Sequence, residues 1–319
     1  MPPTRSQNPD RPQRTLARPA IVAGHGYWSS ERVVVEFRPA AVGAGIAFVR
    51  DDLDGAPRIP AAVAHQRPAD RRTILASGNG GQSTAEVEMV EHVLAALYGL
   101  GVDNCEVGVS AAEMPGCDGS SLAFVEAIAD AGLVEQHKSI EPLVVTTPVR
   151  CQRGDAWIEA RPPIGDGLSI EYNLDFGPDS PIPAQWSVTS IDQVAFATEL
   201  APARTFVLKA EADAIRAQGI AEHVTANDLL IFGPDGPIDN ALRYPDECAR
   251  HKALDVVGDF ALAGRPIAGH IVACRSGHRL NAELVRELLA TNADHAGEDA
   301  PGQSTPPQAD PQQERRRSA

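Results

Sequence analysis

A chain of 319 residues with 43% hydrophobic residues is long enough to bury one large core or two of ordinary size, so we expect a soluble globular protein. The formal net charge of −15 excludes a basic field that attracts nucleic acid or anionic lipid without sequence preference. An anionic substrate must therefore be bound by a few local cations.

The two ends of the chain differ from its middle. Residues 1–12 and 291–319 are rich in Pro, Gln, Asp and Arg and lack aromatic residues, which predicts disorder. The first residues contain no apolar run of the signal-peptide type, and no stretch of about 18 apolar residues follows. The five cysteines form no C-x-x-C pair, which indicates reduced thiols in a cytoplasmic protein.

The middle of the chain contains two similar series of predicted elements. In the first, RVVVEFRPAAVGAGIAFVR alternates as two strands, AEVEMVEHVLAALYGLG has helical periodicity, and DNCEVGVS returns as a strand. In the second, DAWIEARPP and GLSIEYNLDF alternate as strands, DECARHKALDVVGDFALAG is a helix that ends at Gly264, and PIAGHIVACR is a further strand. This weak duplication predicts two α+β domains, at 13–139 and 140–290, with the boundary near 135–143.

A polar stripe interrupts the apolar surface of the second predicted helix. His251, Asp255 and Asp259 follow one another at intervals of four, so they lie on one helix face. An imidazole and a carboxylate at this spacing can bind one metal ion, and a catalytic zinc needs three protein ligands. The same spacing is common in ordinary helix-surface pairs, so the stripe alone is a weak signal.

The first predicted helix supplies two further candidates, Glu91 and His92. His92 could be the third metal ligand, and the adjacent Glu91 could act as general base toward a metal-activated water. The alternative is that the glutamate is a helix former and the histidine a core residue. Two imidazoles and a carboxylate suit Zn²⁺ and also Fe²⁺.

A third histidine is placed to act as an acid. His278 follows a strand within CRSGHRLN, a glycine-containing segment predicted as a loop from which an imidazole could project. Asp259, the last residue of the stripe, would orient His278 and raise its pKa, so that a protonated imidazole is available near neutral pH.

Several short motifs occur in the order and spacing of one enzyme family. They are VEHVLAALYGLGVDN, DGSSLAFVEAI, ARTF, RHKALDVVGD and SGHRLN, with QRTLARP near the start and IEYNLDF in the middle. Over about residues 13–290 the chain resembles the zinc-dependent UDP-3-O-acyl-N-acetylglucosamine deacetylases of lipid A biosynthesis. The resemblance implies two similar α+β domains, each a helix pair packed on a β-sheet, with the active site at their interface.

The resemblance also implies residue roles. The zinc ligands would be His92, His251 and Asp255, with Glu91 as general base and His278 as the cationic acid or electrostatic partner that Asp259 supports.

In the same way, the resemblance implies that Thr205 of ARTF bonds the oxyanion, Phe206 lines the site and Lys252 holds the substrate's phosphate. The alternative for each of these residues is capping or packing. The implied reaction removes the 2-acetyl group of UDP-3-O-acyl-N-acetylglucosamine and gives acetate and a free amine. The expected partner is thus a UDP-linked acylated amino sugar, with no nucleic acid and no membrane-spanning segment.

The chain also departs from the family pattern. In GHGYWSS, Trp28 stands where the family has a histidine and Tyr27 where it has an aliphatic residue. We expect these two residues to bind the substrate, with acyl-chain or sugar contacts that differ from those of the family. EMVEH and EHVTANDLL are further departures. The altered GHGYWSS and EHVTANDLL segments leave open a related zinc amidase that acts on another acylated sugar or nucleotide. A second alternative is a non-catalytic binding or regulatory protein on the same scaffold. Retention of Glu91, His278 and Thr205 together argues against a mere binder.

Overall fold

The computed structural model describes residues 11–78 and 85–298. The strands and helices of the first half are β1 (Arg11–Leu16), β2 (Ala20–His25), β3 (Arg32–Pro39), β4 (Ile46–Arg50), β5 (Arg58–Pro60), β6 (Gln66–Arg67), β7 (Ile74–Ala76), β8 (Glu86–Glu88), α1 (Glu91–Gly99), β9 (Cys105–Val109), α2 (Leu122–Ala131) and β10 (Leu133–Ile140). Those of the second half are β11 (Leu143–Val144), β12 (Val149–Arg153), β13 (Ala156–Arg161), β14 (Leu168–Leu174), β15 (Gln185–Ile191), α3 (Gln193–Ala195), β16 (Phe206–Leu208), α4 (Lys209–Arg216), β17 (Leu230–Gly233), β18 (Gly236–Pro237), α5 (Glu247–Phe260), β19 (Ile267–Cys274) and α6 (His278–Glu298).

The two halves contain main sheets of the same topology. Their strand orders are β2-β3-β9-β4-β5 and β12-β13-β19-β14-β15, with β11 added beside β19 in the second. In each, the last strand along the chain lies in the centre, antiparallel to one neighbour and parallel to the other. The predicted α+β class and the internal duplication are thereby confirmed.

The smaller sheets lie outside this repeat. β1 pairs with β10, β6-β7-β8 form a second sheet of the first half, and β16-β17-β18 form a second sheet of the second half. The chain passes from one half to the other between Ile140, which pairs with Arg11, and Leu143, which pairs with Ile267.

The helices pack in pairs and also against each other across the halves. α1 packs on α2, α5 packs on α6 and on β14, and α1 lies directly against α5. Nearly all of α5 is buried, including the acidic side chain of Asp259, which has no exposed surface. A helix that is enclosed in this way has no solvent-facing side for its polar stripe, so the stripe must be satisfied inside the protein.

Three predicted boundaries were wrong. The first predicted helix begins only at Glu91, because Glu86–Glu88 pair with β7 and Met89 adopts a left-handed φ of 57°. The segment predicted as a disordered N-terminus enters β1 at Arg11, whose guanidinium binds Asp103 through two hydrogen bonds. α6 continues past 291 as far as residue 298, although this last stretch contains several weak helix formers.

The disorder predicted for residues 1–10 and 299–319 lies outside the described residues. Among the described residues, no helix combines the length and apolar character needed to cross a membrane.

The contact between α1 and α5 leads to a prediction about Gly258. A methyl group added there would overlap the carbonyl oxygen of Glu91, whereas one added at Gly165 would meet no atom within 4 Å. Gly258→Ala should lower the free energy of unfolding by about 1–3 kcal/mol, although alanine favours helix more than glycine. Gly165→Ala is the matched control in a denaturant titration, and equal stability of the two variants would contradict a tight helix contact.

Candidate active site

Three buried side chains from α1 and α5 converge on one point. Ligand atoms of His92, His251 and Asp255 all lie within 4.8 Å of one another, and each residue is at most 5% exposed. The Oδ1 atom of Asp255 lies 3.5 Å from Nε2 of His251 and 3.8 Å from Nε2 of His92. The cluster thus joins one residue from the first half of the chain to two from the second.

Hydrogen bonds orient two of these side chains. Nδ1 of His251 lies 3.1 Å from the carbonyl oxygen of Ala203, which can only accept, so the proton is on Nδ1 and the lone pair of Nε2 faces the cluster. The Lys252 ammonium donates to Oδ2 of Asp255 at 2.7 Å, and Oδ1 of the same carboxylate has no hydrogen-bond partner. Nε2 of His251 and Oδ1 of Asp255 therefore both direct free lone pairs, which could bind a metal ion, toward the centre of the cluster.

The protonation states fit a divalent cation. Burial lowers the pKa of His92 to about 3, and it lowers the pKa of His251 as well. Burial alone would raise the pKa of Asp255, but the charge of Lys252 holds it well below its usual value. Two neutral imidazoles and one carboxylate are a donor set that zinc and iron(II) accept, and an orphaned buried carboxylate oxygen is explained by such an ion.

Glu91 lies at the first turn of α1 beside this cluster. Its Oε2 accepts a hydrogen bond of 2.9 Å from the backbone N–H of Thr73. Burial raises the pKa of Glu91 to about 7, although the charge of His278 acts in the opposite direction. Oε1 lies 4.0 Å from Nε2 of His278. A carboxyl group in this position can accept and release a proton near neutral pH.

His278 faces Glu91 from the first residue of α6. The prediction that it lies in a loop was wrong, because the helix begins at His278 itself. Its Nδ1 lies 2.9 Å from Oδ2 of Asp259. Burial alone would lower the pKa of His278, but the charge and hydrogen bond of Asp259 raise it to about 9. The imidazole is therefore protonated at neutral pH and can donate from Nε2.

A cavity of about 620 Å³ opens in front of these groups, a volume that suits a small-molecule ligand. Its lining includes Thr205 and Phe206, at the start of β16, and Lys252. The ring of Phe206 lies edge-on to that of His251 with 6.2 Å between centroids. Lys252 reaches the cavity, but its ammonium is bonded to Asp255.

Tyr27 and Trp28, the two residues at which GHGYWSS departs from the family motif, also line this cavity. The hydroxyl of Tyr27 lies within hydrogen-bond distance of the carbonyl oxygens of Gly116 and Asp228, and its one proton can be donated to either, so it links the two halves of the chain. Trp28 lies under the guanidinium of Arg72, 4.7 Å from the ring centroid. Both aromatic residues are thus fixed at the cavity wall.

Three polar residues near the site were missed from the sequence. Thr73 bonds Glu91, Asn281 donates to Asp259 at 2.8 Å, and Glu113 accepts the backbone N–H groups of Trp28 and Ser29. Asn281 follows His278 by three residues, so helical spacing would have indicated it if the start of α6 had been recognised. Thr73 and Glu113 follow no spacing rule, because tertiary structure alone brings them to the site.

The chain matches the family model described as UDP-3-O-acyl N-acetylglycosamine deacetylase over residues 13–290. It belongs to this family. A UDP-3-O-acyl-N-acetylglucosamine deacetylase of Anaeromyxobacter sp. (strain Fw109-5) is 38% identical, over 89% of this chain and 90% of its own.

Other members of the UDP-3-O-acyl N-acetylglycosamine deacetylase family are similar to this chain at comparable levels. The enzyme of that kind from Thermosynechococcus vestitus is 37% identical, over 86% of this chain and 93% of its own. The one from Leptospira biflexa is 32% identical, over 87% of this chain and 90% of its own. The resemblance inferred from the motifs is confirmed, and with it the class of N-deacetylase. The roles of individual residues stay predictions.

Metal binding can be tested without any assay of activity. His251→Ala removes one of the two imidazoles and should leave the protein without stoichiometric zinc after loading and dialysis. His270→Ala is the matched control, because His270 is similarly buried and bonds Ser169 rather than the cluster. Metal analysis should find one zinc per chain in the control, and equal zinc in both variants would contradict the site.

Proposed function

We propose that this protein is a zinc-dependent hydrolase that removes the 2-acetyl group of UDP-3-O-acyl-N-acetylglucosamine, a step of lipid A biosynthesis. One observation carries the proposal: Glu91 and His278 face each other across 4.0 Å beside the His92, His251 and Asp255 cluster. A group that accepts a proton and a group that donates one are the pair that amide hydrolysis requires.

His92, His251 and Asp255 would hold the metal. When bound, zinc supplies polarisation of the acetamide carbonyl and a lowered pKa of water. Fe²⁺ suits the same donors. The unbonded Oδ1 of Asp255 and the neutral imidazoles support a single divalent ion at this place.

The proton transfers follow from the protonation states of the two facing groups. Glu91 takes a proton from the water that attacks the acetamide carbonyl carbon. The Thr205 hydroxyl, at the cavity wall, donates to the oxygen on which negative charge develops. His278 gives its proton to the nitrogen as the C–N bond breaks, and acetate and a free amine leave. Asp259 acts through His278, as a positioning residue.

The cavity lining suits an acylated nucleotide sugar. Apolar side chains of β16, α4 and β17, such as Val207, Ile215 and Ile231, would take the acyl chain. Lys252 and the exposed Arg279 line the same cavity and would meet the diphosphate, which gives this acidic protein the local cations that it needs. The nucleotide substrate and the free cysteines support a cytoplasmic location.

The base assignment has a direct test. Glu91→Gln keeps the size of the side chain but cannot accept the proton, so acetate release from UDP-3-O-acyl-N-acetylglucosamine should fall by about 100- to 10,000-fold. Zinc content should stay at the wild-type value, because Glu91 is not one of the three clustered ligands. A variant that keeps its turnover would remove Glu91 as the base. A zinc-loaded wild-type protein that releases no acetate would contradict the proposed function.

The acid assignment predicts a pH dependence. His278 must be protonated, so kcat/KM should decline as the pH rises through the histidine pKa of about 9. Asp259→Asn removes the charge that raises this pKa, so the decline should begin at lower pH, nearer the ordinary value of histidine. Asp130→Asn, which changes an exposed carboxylate paired with Arg18, is the control. An alkaline limb that does not move in Asp259→Asn would contradict the role of His278.

A further inference from the structure

Thr73 connects the two proton-transferring groups of the site. It has no exposed surface and immediately precedes β7, in the segment between β6 and β7. Its backbone N–H donates to Oε2 of Glu91 at 2.9 Å, and its hydroxyl donates to Oδ1 of Asp259 at 2.7 Å. One residue therefore binds the carboxylate of the general base and the carboxylate that supports the acid.

The hydroxyl completes the hydrogen bonding of a buried carboxylate. Asp259 is bonded on Oδ2 by Asn281 at 2.8 Å and by His278 at 2.9 Å, so Thr73 is the donor found on Oδ1. An ionised carboxylate with no exposed surface needs such donors, because desolvation of an unbonded oxygen is costly. Without the hydroxyl, the carboxylate loses the bond that opposes rotation away from His278.

These bonds determine which atoms of the site remain available. Thr73 holds Oε2 of Glu91, and Asp259 holds Nδ1 of His278, which leaves Oε1 and Nε2 facing each other at 4.0 Å. The threonine is itself fixed, because its carbonyl oxygen accepts the backbone N–H of Val90, just before α1. Its β-branched side chain further restricts the direction of the hydroxyl.

We propose that Thr73 is a positioning residue that holds the Glu91 carboxylate and the Asp259–His278 pair in one fixed geometry. The inference rests on the proposed function, since it assigns Thr73 to the same reaction. One threonine makes both contacts: its main-chain N–H bonds the general base Glu91, and its side-chain hydroxyl bonds Asp259, which supports the acid His278. A misplacement of about 1 Å at such groups can cost 100-fold in rate.

Three variants separate this role from general packing. Thr73→Val keeps the shape and the N–H that bonds Glu91 but removes the hydroxyl, and Thr73→Ser keeps the hydroxyl. Thr15→Val removes the hydroxyl of another buried threonine, which accepts the N–H of Ala40 and lies outside the cavity lining. All three are prepared as full-length, zinc-loaded protein, with metal content and thermal midpoint measured beside kcat and KM.

We expect Thr73→Val to lower kcat by about 10- to 100-fold with KM and zinc content unchanged, and Thr73→Ser to recover most of that loss. Thr15→Val should lower the thermal midpoint and leave kcat at the wild-type value. A Thr73→Val variant with wild-type kcat would overturn the proposal, as would a loss of kcat that Thr15→Val reproduces.

A second readout does not depend on turnover. In protein labelled with ¹⁵N-histidine, the Nδ1–H resonance of His278 reports its bond to Asp259. We expect the chemical shift of this resonance to change in Thr73→Val and to keep its wild-type value in both Thr73→Ser and Thr15→Val. An unshifted resonance in Thr73→Val would overturn the proposal. If wild-type protein releases no acetate, the proposed function fails, and the resonance still decides whether Thr73 positions His278.

Discussion

The site depends on the close contact between helices α1 and α5. Only glycine fits at position 258, because any side chain there would overlap the carbonyl oxygen of Glu91. The helices approach closely enough that His92 of one lies beside His251 and Asp255 of the other. Because the two halves have sheets of the same topology, the contact joins equivalent helix pairs, and the clustered candidate metal ligands lie where the two pairs meet.

Within this contact, hydrogen bonds hold one atom of each functional group and leave another available. Asp255 is held on Oδ2 by Lys252, Glu91 on Oε2 by Thr73, and His278 on Nδ1 by Asp259. So many buried ionisable groups cost stability unless each has a partner. The partners therefore stabilise these buried charges and also orient them, so the same bonds maintain the geometry that the proposed proton transfers require.

Periodicity predicted the repeated elements, and the spacing of His251, Asp255 and Asp259 indicated a functional helix face, because both depend on local sequence. The start of α1 was placed too early, since pairing of β8 with β7 and the left-handed backbone at Met89 are tertiary effects. Thr73 reaches the site through the fold of the small sheet, which no spacing rule describes. The bond between Lys252 and Asp255 likewise depends on side-chain conformation.

The most direct test of the metal site is the X-ray absorption spectrum of the zinc-loaded protein at the zinc edge. We expect one zinc bound by nitrogen and oxygen at about 2.0–2.2 Å, with the scattering pattern of two imidazoles. The same spectrum should be absent from a dialysed His251→Ala, Asp255→Ala double variant. Sulfur at about 2.3 Å, which would indicate a cysteine ligand, or an unchanged spectrum in the double variant, would contradict the assembly of the metal site from α1 and α5.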